Sequence, residues 1–453
     1  MTNYKTLIRI FQTPMVKIQQ QLTQKKIFIF WLPLGATWLM MSVEGPFLSA
    51  LIARLDEPIY NLAAYGVAFA FALIIEAPVI MMMSASTALV RDSYSFNKLK
   101  RFTFLLNTGI TLLMLILVIP AIFYFIAEDL IGLPKRVSYL THVATIILLP
   151  WPAAIGYRRF YQGVLIRNNL TRRVAYGTVV RLTTMGLTAF VIYFYFDFPG
   201  VVVGASALTA AVLAEAIASR IMTTGIIKQL HDNASATGER ITYKEIYKFY
   251  YPLAIMSLLS LGVQPFVTFF VGQSRMALES LAVLPVITSF VFIFRALGLS
   301  YQEVIIAQMG DDKSGYVPLR NFAVGLAGVL SITLLIIAFT PLADIWFRDV
   351  SGLSVFLSEF ARTPLKIMAI IPALTVFISF QRSVLVGDKN TAPITWGTAI
   401  EFAVIVIVML LSIHVFSFVG AVAATTSFVV GRSAANIYLT PYVSKSAKIV
   451  PTR

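Results

Sequence analysis

Along most of the chain, apolar positions run on without the polar face that a helix on the surface of a soluble protein carries. About 20 consecutive apolar residues are enough to cross the hydrocarbon of a bilayer. On that scale the pattern predicts twelve helical spans, at roughly 27–53, 62–90, 102–127, 138–160, 174–196, 199–224, 247–272, 280–309, 319–343, 357–382, 391–413 and 415–441. The one sustained polar break is Gln229 to Glu245, QLHDNASATGERITYKE, between the sixth and seventh spans. It reads as a linker between two halves.

The halves repeat one another. Leu62 to Val90, LAAYGVAFAFALIIEAPVIMMMSASTALV, returns 219 positions later as Leu281 to Met309, LAVLPVITSFVFIFRALGLSYQEVIIAQM, and Arg295 stands where Glu76 stood. At the same offset Pro33-Leu34 matches Pro252-Leu253, Pro46-Phe47 matches Pro265-Phe266, Asp92 matches Asp311 and Gln162 matches Gln381. Gly204-Ala205 matches Gly420-Ala421 after a small deletion. Six spans per half bring both halves in from the same side, so the repeats are parallel, related by an axis along the membrane normal. The expected fold is an all-α integral membrane protein with twelve transmembrane helices in two six-helix parallel-repeat lobes. Its expected parts are an N-terminal segment (1–26), an N-lobe (27–228), the linker (229–245), a C-lobe (246–441) and a C-terminal tail (442–453).

Composition narrows the function. At 58% hydrophobic residues and a mean hydropathy of +0.81, the 453-residue chain leaves no stretch for a soluble catalytic domain. It holds no cysteine, its three histidines (His142, His231, His414) form no motif, and no GxxxxGK[ST] run occurs. We therefore expect no enzyme, no metal site, no internal ATPase and no cofactor. The net charge of +15 is mostly a topology signal. The first 26 residues carry Lys5, Arg9, Lys17, Lys25 and Lys26 and no acid, and most of the Lys and Arg fall in the termini and every second connection. By the positive-inside pattern both termini are cytoplasmic, in a plasma membrane, here the bacterial inner membrane. Contact with anionic lipid is expected and nucleic-acid binding is not.

Among the ionisable residues within the spans are Glu44, Glu76, Arg181, Glu215, Arg220, Arg295, Glu303, Lys366, Glu401 and Arg432. Each costs about 2.5–3.5 kcal/mol at a helix centre on insertion scales, so each should face protein or a wet cavity. Arg181, Arg220 and Lys366 sit near span ends, where snorkelling is a sufficient account. Glu76 and Arg295 read either as a buried pair between the lobes or as a substrate or ion site. Gln302 follows Arg295 by two turns on the same face, and with Tyr301 and Glu303 it interrupts an apolar helix as cavity-lining groups would. Glu44 and Gln264 occupy nearly matching positions before Pro46 and Pro265. Pro33, Pro46, Pro252 and Pro265 are candidate kinks that gate the cleft. Arg158, Arg159, Arg167, Arg172 and Arg173, after the fourth span, form the densest basic patch, a candidate cytoplasmic mouth.

Ala64-Tyr65-Gly66-Val67-Ala68, Gln162-Gly163-Val164-Leu165-Ile166, Phe249-Tyr250-Tyr251-Pro252-Leu253-Ala254 and Gln264-Pro265-Phe266-Val267 resemble the progressive ankylosis protein family. In architecture the whole chain resembles the multidrug/oligosaccharidyl-lipid/polysaccharide (MOP) exporter superfamily, with the fold of the multidrug and toxin extrusion (MATE) transporters. That resemblance implies a rocker-switch carrier, and the ankylosis proteins are linked to export of organic and pyrophosphate-like anions. The buried aspartate pair of drug exporters is absent. The expected function is thus a secondary active transporter, functional as a monomer, that exports an anionic or amphipathic organic solute by alternating access, with H+ or Na+ as coupling ion. A flippase for a lipid-linked substrate, a cation-coupled multidrug antiporter and a receptor-like membrane protein without transport are the alternatives.

Overall fold

Helix breakers decide how the spans are cut. The computed structural model describes residues 22–168, 170–232, 241–310, 313–388, 390 and 392–447, so Asp311, the middle of the linker, most of the N-terminal segment and the second half of the C-terminal tail lie outside the described residues. Twelve long helical segments result: α1 Gln24–Ile52, α2 Pro58–Leu89, α3 Ser93–Leu117, α4 Lys135–Arg167, α5 Arg172–Tyr195, α6 Gly200–Asp232, α7 Tyr243–Gly272, α8 Ala277–Gln308, α9 Tyr316–Phe339, α10 Val355–Gly387, α11 Ala392–His414 and α12 Gly420–Ala447. The first 11 are long and apolar enough to cross a membrane. The twelfth has the length, 28 residues, but carries Arg432, Asn436 and several Ser and Thr. Residues 158–167, expected to begin a connection, instead continue α4 as helix to Arg167.

Proline has unequal effects in the two copies. In the first, α1 breaks at Val43, where Pro46 has no N–H to offer the carbonyl of Ser42, and α2 tightens into a 3-10 turn, Ala77–Val79, around Pro78. In the second, α7 runs unbroken through Pro252 and Pro265, and α8 through Pro285. The paired kinks expected at Pro46 and Pro265 therefore become a break in one copy only. Elsewhere the repeat is faithful down to backbone detail. Glu57 (φ 49°) and Met276 (φ 52°) take the same left-handed conformation before α2 and α8. Matching π-helical turns, Phe125–Leu130 and Ile345–Val350, follow α3 and α9, and Gly132 (φ 83°) and Gly352 (φ 73°) close them.

The core shows how the lobes meet. At the end of the bundle away from the termini, one continuous apolar cluster joins them, with Leu62, Val67 and Phe123 of the first lobe packed with Leu284, Val291 and Phe347 of the second. Small residues permit this approach. A Cβ on Gly66 would come within 2.7 Å of Pro285 Cγ, and one on Gly45 within 2.8 Å of Ser289 Cβ. At the end bearing the termini the core splits in two. Tyr301, Leu319, Val376 and Leu439 hold one part and Phe96, Phe160 and Tyr161 the other, with Met82. Each receives a helix from the opposite lobe: Ile27 and Trp31 of α1 join the second-lobe cluster, and Ile246 and Tyr250 of α7 join the first. Trp31 Nε1 donates to Ser300 Oγ at 2.9 Å, and Tyr250 donates its hydroxyl to the Pro78 carbonyl at the break in α2. The lobes are thus fused at one end and parted at the other.

Two latches tie the fused end. Arg54, just past α1, donates through Nη2 to the carbonyls of Asp349 and Val350, both at 2.7 Å, on the second lobe's π-turn. In the other copy Gln273, 219 positions later and just past α7, donates to the carbonyl of Leu130 at 2.7 Å, on the first lobe's π-turn. Helix ends leave such carbonyls without intrahelical partners, and the twofold repeat supplies each with a donor from the opposite lobe. Gly352 lies against the Arg54 side chain, and Gly272 sits so near Ile131 that a Cβ would come within 2.8 Å of its carbonyl oxygen.

Candidate functional site

Between the lobes lies a cavity of about 590 Å³, and its charged lining is six arginines (Arg158, Arg159, Arg181, Arg295, Arg382 and Arg432) against three glutamates (Glu44, Glu76 and Glu401). A bilayer-depth cluster of this kind persists only when its members satisfy one another or meet water or ligand.

On the first-lobe wall most of them do. Arg158 of α4 pairs with Glu215 of α6, which also accepts from Gln162 Nε2 at 2.9 Å. Arg181 of α5 pairs with Glu44 beside the α1 break and stands 3.9 Å from Glu215. Arg181 is therefore a buried bridge, where its place near a span end suggested snorkelling. Glu76 is 4% exposed at the last turn before the 3-10 break, and its Oε2 has no hydrogen-bond partner among the described residues. Arg159 makes no ion pair among them, and the sulfur of Met83 is 3.6 Å from its Nη1.

The second-lobe wall is built differently. Arg432 Nε of α12 binds Glu401 Oε1 of α11 at 2.6 Å. Arg382 of α10 lies 3.7 Å from the same carboxylate and donates to Thr398 Oγ1 at 3.2 Å. Arg295 has no ion pair among the described residues, only the face of the Phe292 ring at 6.0 Å, and the Nε atoms of Arg295 and Arg382 are buried without a partner. The bridge between the fifth and sixth helices of each lobe occurs in both copies with its sign reversed: Arg181 and Glu215 in the first lobe, Glu401 and Arg432 in the second.

Of the residues singled out in the sequence, Glu44, Glu76, Gln264 and Arg295 line the cavity, as does Pro285. Glu76 and Arg295 face the same space without forming an ion pair. Gln302 and Glu303 are not part of it. Seven residues carry α8 about 10 Å further along its axis, into the closed second-lobe core where Tyr301 donates to the Leu319 carbonyl at 2.8 Å, and Glu303 points outward, exposed. Arg158 and Arg159 lie within α4, which continues to Arg167, and line the cavity instead of the connection that follows. Arg167, Arg172 and Arg173 do lie at the end of α4, with Arg167 donating to the Thr87 carbonyl and Arg173 to that of Met222. Arg382 was missed: it closes the predicted tenth span and looked like an end residue, although it follows Gln381, the repeat partner of Gln162.

No protein-family model and no curated protein matches the chain by sequence. Solved structures match it in three dimensions. An inward-facing multidrug resistance MATE family transporter of the MOP superfamily is 15% identical, with a TM-score of 0.72 over 92% of this chain and 96% of that one. The lipid II flippase MurJ, in an inward closed conformation, is 16% identical, with a TM-score of 0.68 over 92% of this chain and 90% of that one. A MOP superfamily transporter from Pyrococcus furiosus, described as having a binding pocket of reverse polarity, is 15% identical, with a TM-score of 0.65 over 95% of this chain and 98% of that one. Two parallel-repeat lobes, their order of helices and these likenesses over nearly the whole chain give the protein the fold that these MATE and MurJ structures share.

Proposed function

We propose that the protein is a secondary active transporter that exports an anionic or amphipathic organic solute from the cytoplasm by alternating access. The observation that carries this reading is the excess of arginine over glutamate on the wall of the interlobe cavity. An anion would recover there the charge compensation that burial denies the arginines. Aromatic and aliphatic side chains such as Phe69, Trp151 and Phe292 share the wall and suit an amphipathic solute. The distribution of Lys and Arg supports cytoplasmic termini, in which case the fused end faces outward and the cavity is poised to load from the cytoplasm. Glu76, a buried acid without a hydrogen bond to one of its oxygens, is the group best suited to carry a coupling proton. Such a carrier forms and breaks no covalent bond in its solute.

The test is flux in proteoliposomes of the purified protein, with anionic, neutral and cationic solutes, under imposed proton or sodium gradients. Saturable movement of anions supports the reading, and movement of cations in preference to anions overturns it. A parallel assay of labelled lipid carrying a diphosphate headgroup separates a solute exporter from a flippase: translocation of that lipid with no solute flux assigns the cavity to the lipid.

A further inference from the structure

Among the described residues no ion pair joins the two walls of the cavity, and their sums differ. On the first-lobe wall and directly behind it stand Arg158, Arg159 and Arg181 with Glu44, Glu76 and Glu215, three charges of each sign. On the second-lobe wall stand Arg295, Arg382 and Arg432 with Glu401 alone. The first wall is balanced and the second carries an excess of two positive charges.

The sequence shows how this arose within a repeat. Arg181 with Glu215 and Glu401 with Arg432 cancel in both copies. Glu44 has become Gln264, Glu76 has become Arg295, and Arg382 stands where the first copy has Gly163. Opposing these, Arg158 and Arg159 have apolar counterparts in Phe377 and Ile378. The exchanges leave the second wall two units more positive.

We infer that the solute's anionic end binds on the second-lobe wall, held by Arg295 of α8 and Arg382 of α10 with Arg432 alongside, and that the solute is a compact dianion. This rests on the reading of the cavity as an anion site and adds to it a location and a charge. Arg295 and Arg382 have buried Nε atoms without a partner, as Arg158, Arg159 and Arg181 do on the first wall, but only on the second wall do arginines outnumber carboxylates, so fork donors remain there for carboxylate or phosphate oxygens. Arg432 is already committed to Glu401 through its Nε, so the free valence belongs to the other two. A single carboxylate would leave one excess charge uncompensated, and a dianion matches both. Dicarboxylates and phosphates share this chemistry.

The experiment is equilibrium binding to detergent-purified protein, read by quenching of tryptophan fluorescence, since Trp38 and Trp151 line the cavity. Probes, at about pH 8, are succinate, inorganic phosphate, acetate and choline. Succinate or phosphate should bind at least tenfold more tightly than acetate, and choline should not bind; whichever of the first two is tighter identifies the carboxylate or phosphate source. Arg295→Gln and Arg382→Gln should each weaken dianion binding by roughly tenfold to a hundredfold, the range for loss of a charged hydrogen bond. Each should weaken it more than Arg159→Gln. Arg295→Lys and Arg382→Lys keep the charge and should recover part of the loss, which separates a binding role from misfolding. Equal binding of acetate and succinate, or losses in Arg159→Gln as large as in Arg295→Gln, would overturn the inference. Because binding is measured without flux, dianion binding by a protein that moves no solute would defeat the transport reading and leave this site standing.

Discussion

The latches at the fused end set how readily the cavity can open to the far side, and their strength can be worked from the contacts. Arg54 supplies two hydrogen bonds of 2.7 Å to the carbonyls of Asp349 and Val350, and Gln273 one of 2.7 Å to that of Leu130. A bond from a charged donor is worth about 1.5–3 kcal/mol when shielded. Arg54 is exposed, which reduces each of its bonds to about 0.5–1 kcal/mol, and the neutral Gln273 bond is of similar size. Removing both latches should therefore cost the closed arrangement about 1.5–3 kcal/mol, roughly a tenfold to hundredfold shift between closed and open. The variant is Arg54→Ala with Gln273→Ala. The chain's lack of cysteine allows spin labels at Lys135→Cys and Phe356→Cys, exposed positions of opposite lobes at this end. Pulsed electron-electron resonance should show a short distance in the parent and a longer, newly populated distance in the double variant, with each single variant between. Unchanged distance distributions in the double variant would refute the idea that these bonds hold the end closed and would leave the apolar contact of α2 with α8 as the sole closure.

Two further perturbations probe other steps of the argument. Gly66→Ala places a methyl within 2.7 Å of Pro285 Cγ and should cost about 1–3 kcal/mol at the interface between the lobes, read in the same distance measurement as a shift toward opening; an unchanged distribution would mean that α2 and α8 have room to spare. Asp92 caps α3 from outside the membrane, accepting the Ser95 N–H at 2.7 Å, and this bond holds its carboxyl below the usual carboxylate range. A carboxylate whose folded pKa is lowered stabilises above its unfolded pKa, and the contribution is lost as the pH falls through the folded value. Asp92→Ala should therefore cost about 1 kcal/mol at neutral pH, with the deficit shrinking below about pH 4, in thermal unfolding followed by size-exclusion chromatography.

The fold was legible because its determinants are local and repeated. Span-length apolar runs, the polar stretch after Gln229 and the constant offset between Leu62–Val90 and Leu281–Met309 each fix a feature without knowledge of contacts. The site was legible only in part. Glu76 and Arg295 betray themselves as charges deep in apolar runs, and both line the cavity. What the sequence cannot show is which charges meet: Arg181 and Glu44 are 137 positions apart and Arg158 and Glu215 are 57 apart, on helices that become neighbours only in the folded lobe. Arg158, Arg159 and Arg382 were misread for a related reason, since hydropathy ends a span at the first cluster of charge while the helix continues past it. The paired prolines misled in the opposite way. Pro46 breaks α1 where the chain passes from one lobe's core to the other's, whereas the corresponding Pro265 leaves α7 intact.

On the proposed transport reading, an excess of charge on one wall has a consequence for the cycle. To pass from one facing to the other, the parted ends must close over the cavity, and closure strips water from Arg295 and Arg382. Two uncompensated charges make that step costly, by several kcal/mol per ion even after relaxation. A bound dianion cancels them, so the loaded protein closes more easily than the empty one. It also travels with the second lobe, because the balanced first wall offers it little to hold. The same reasoning applies on the return, which therefore favours a protein carrying an anion back. Exchange of internal for external anion should run at least tenfold faster than net efflux into anion-free medium, measured with labelled succinate or inorganic phosphate in proteoliposomes. Arg295→Gln, by lowering the uncompensated charge to one, should narrow that ratio while weakening binding. A parent protein whose net efflux equals its exchange, at saturating internal anion, would show that the empty cavity closes as readily as the loaded one, and the charge on the second wall would then have no part in the cycle.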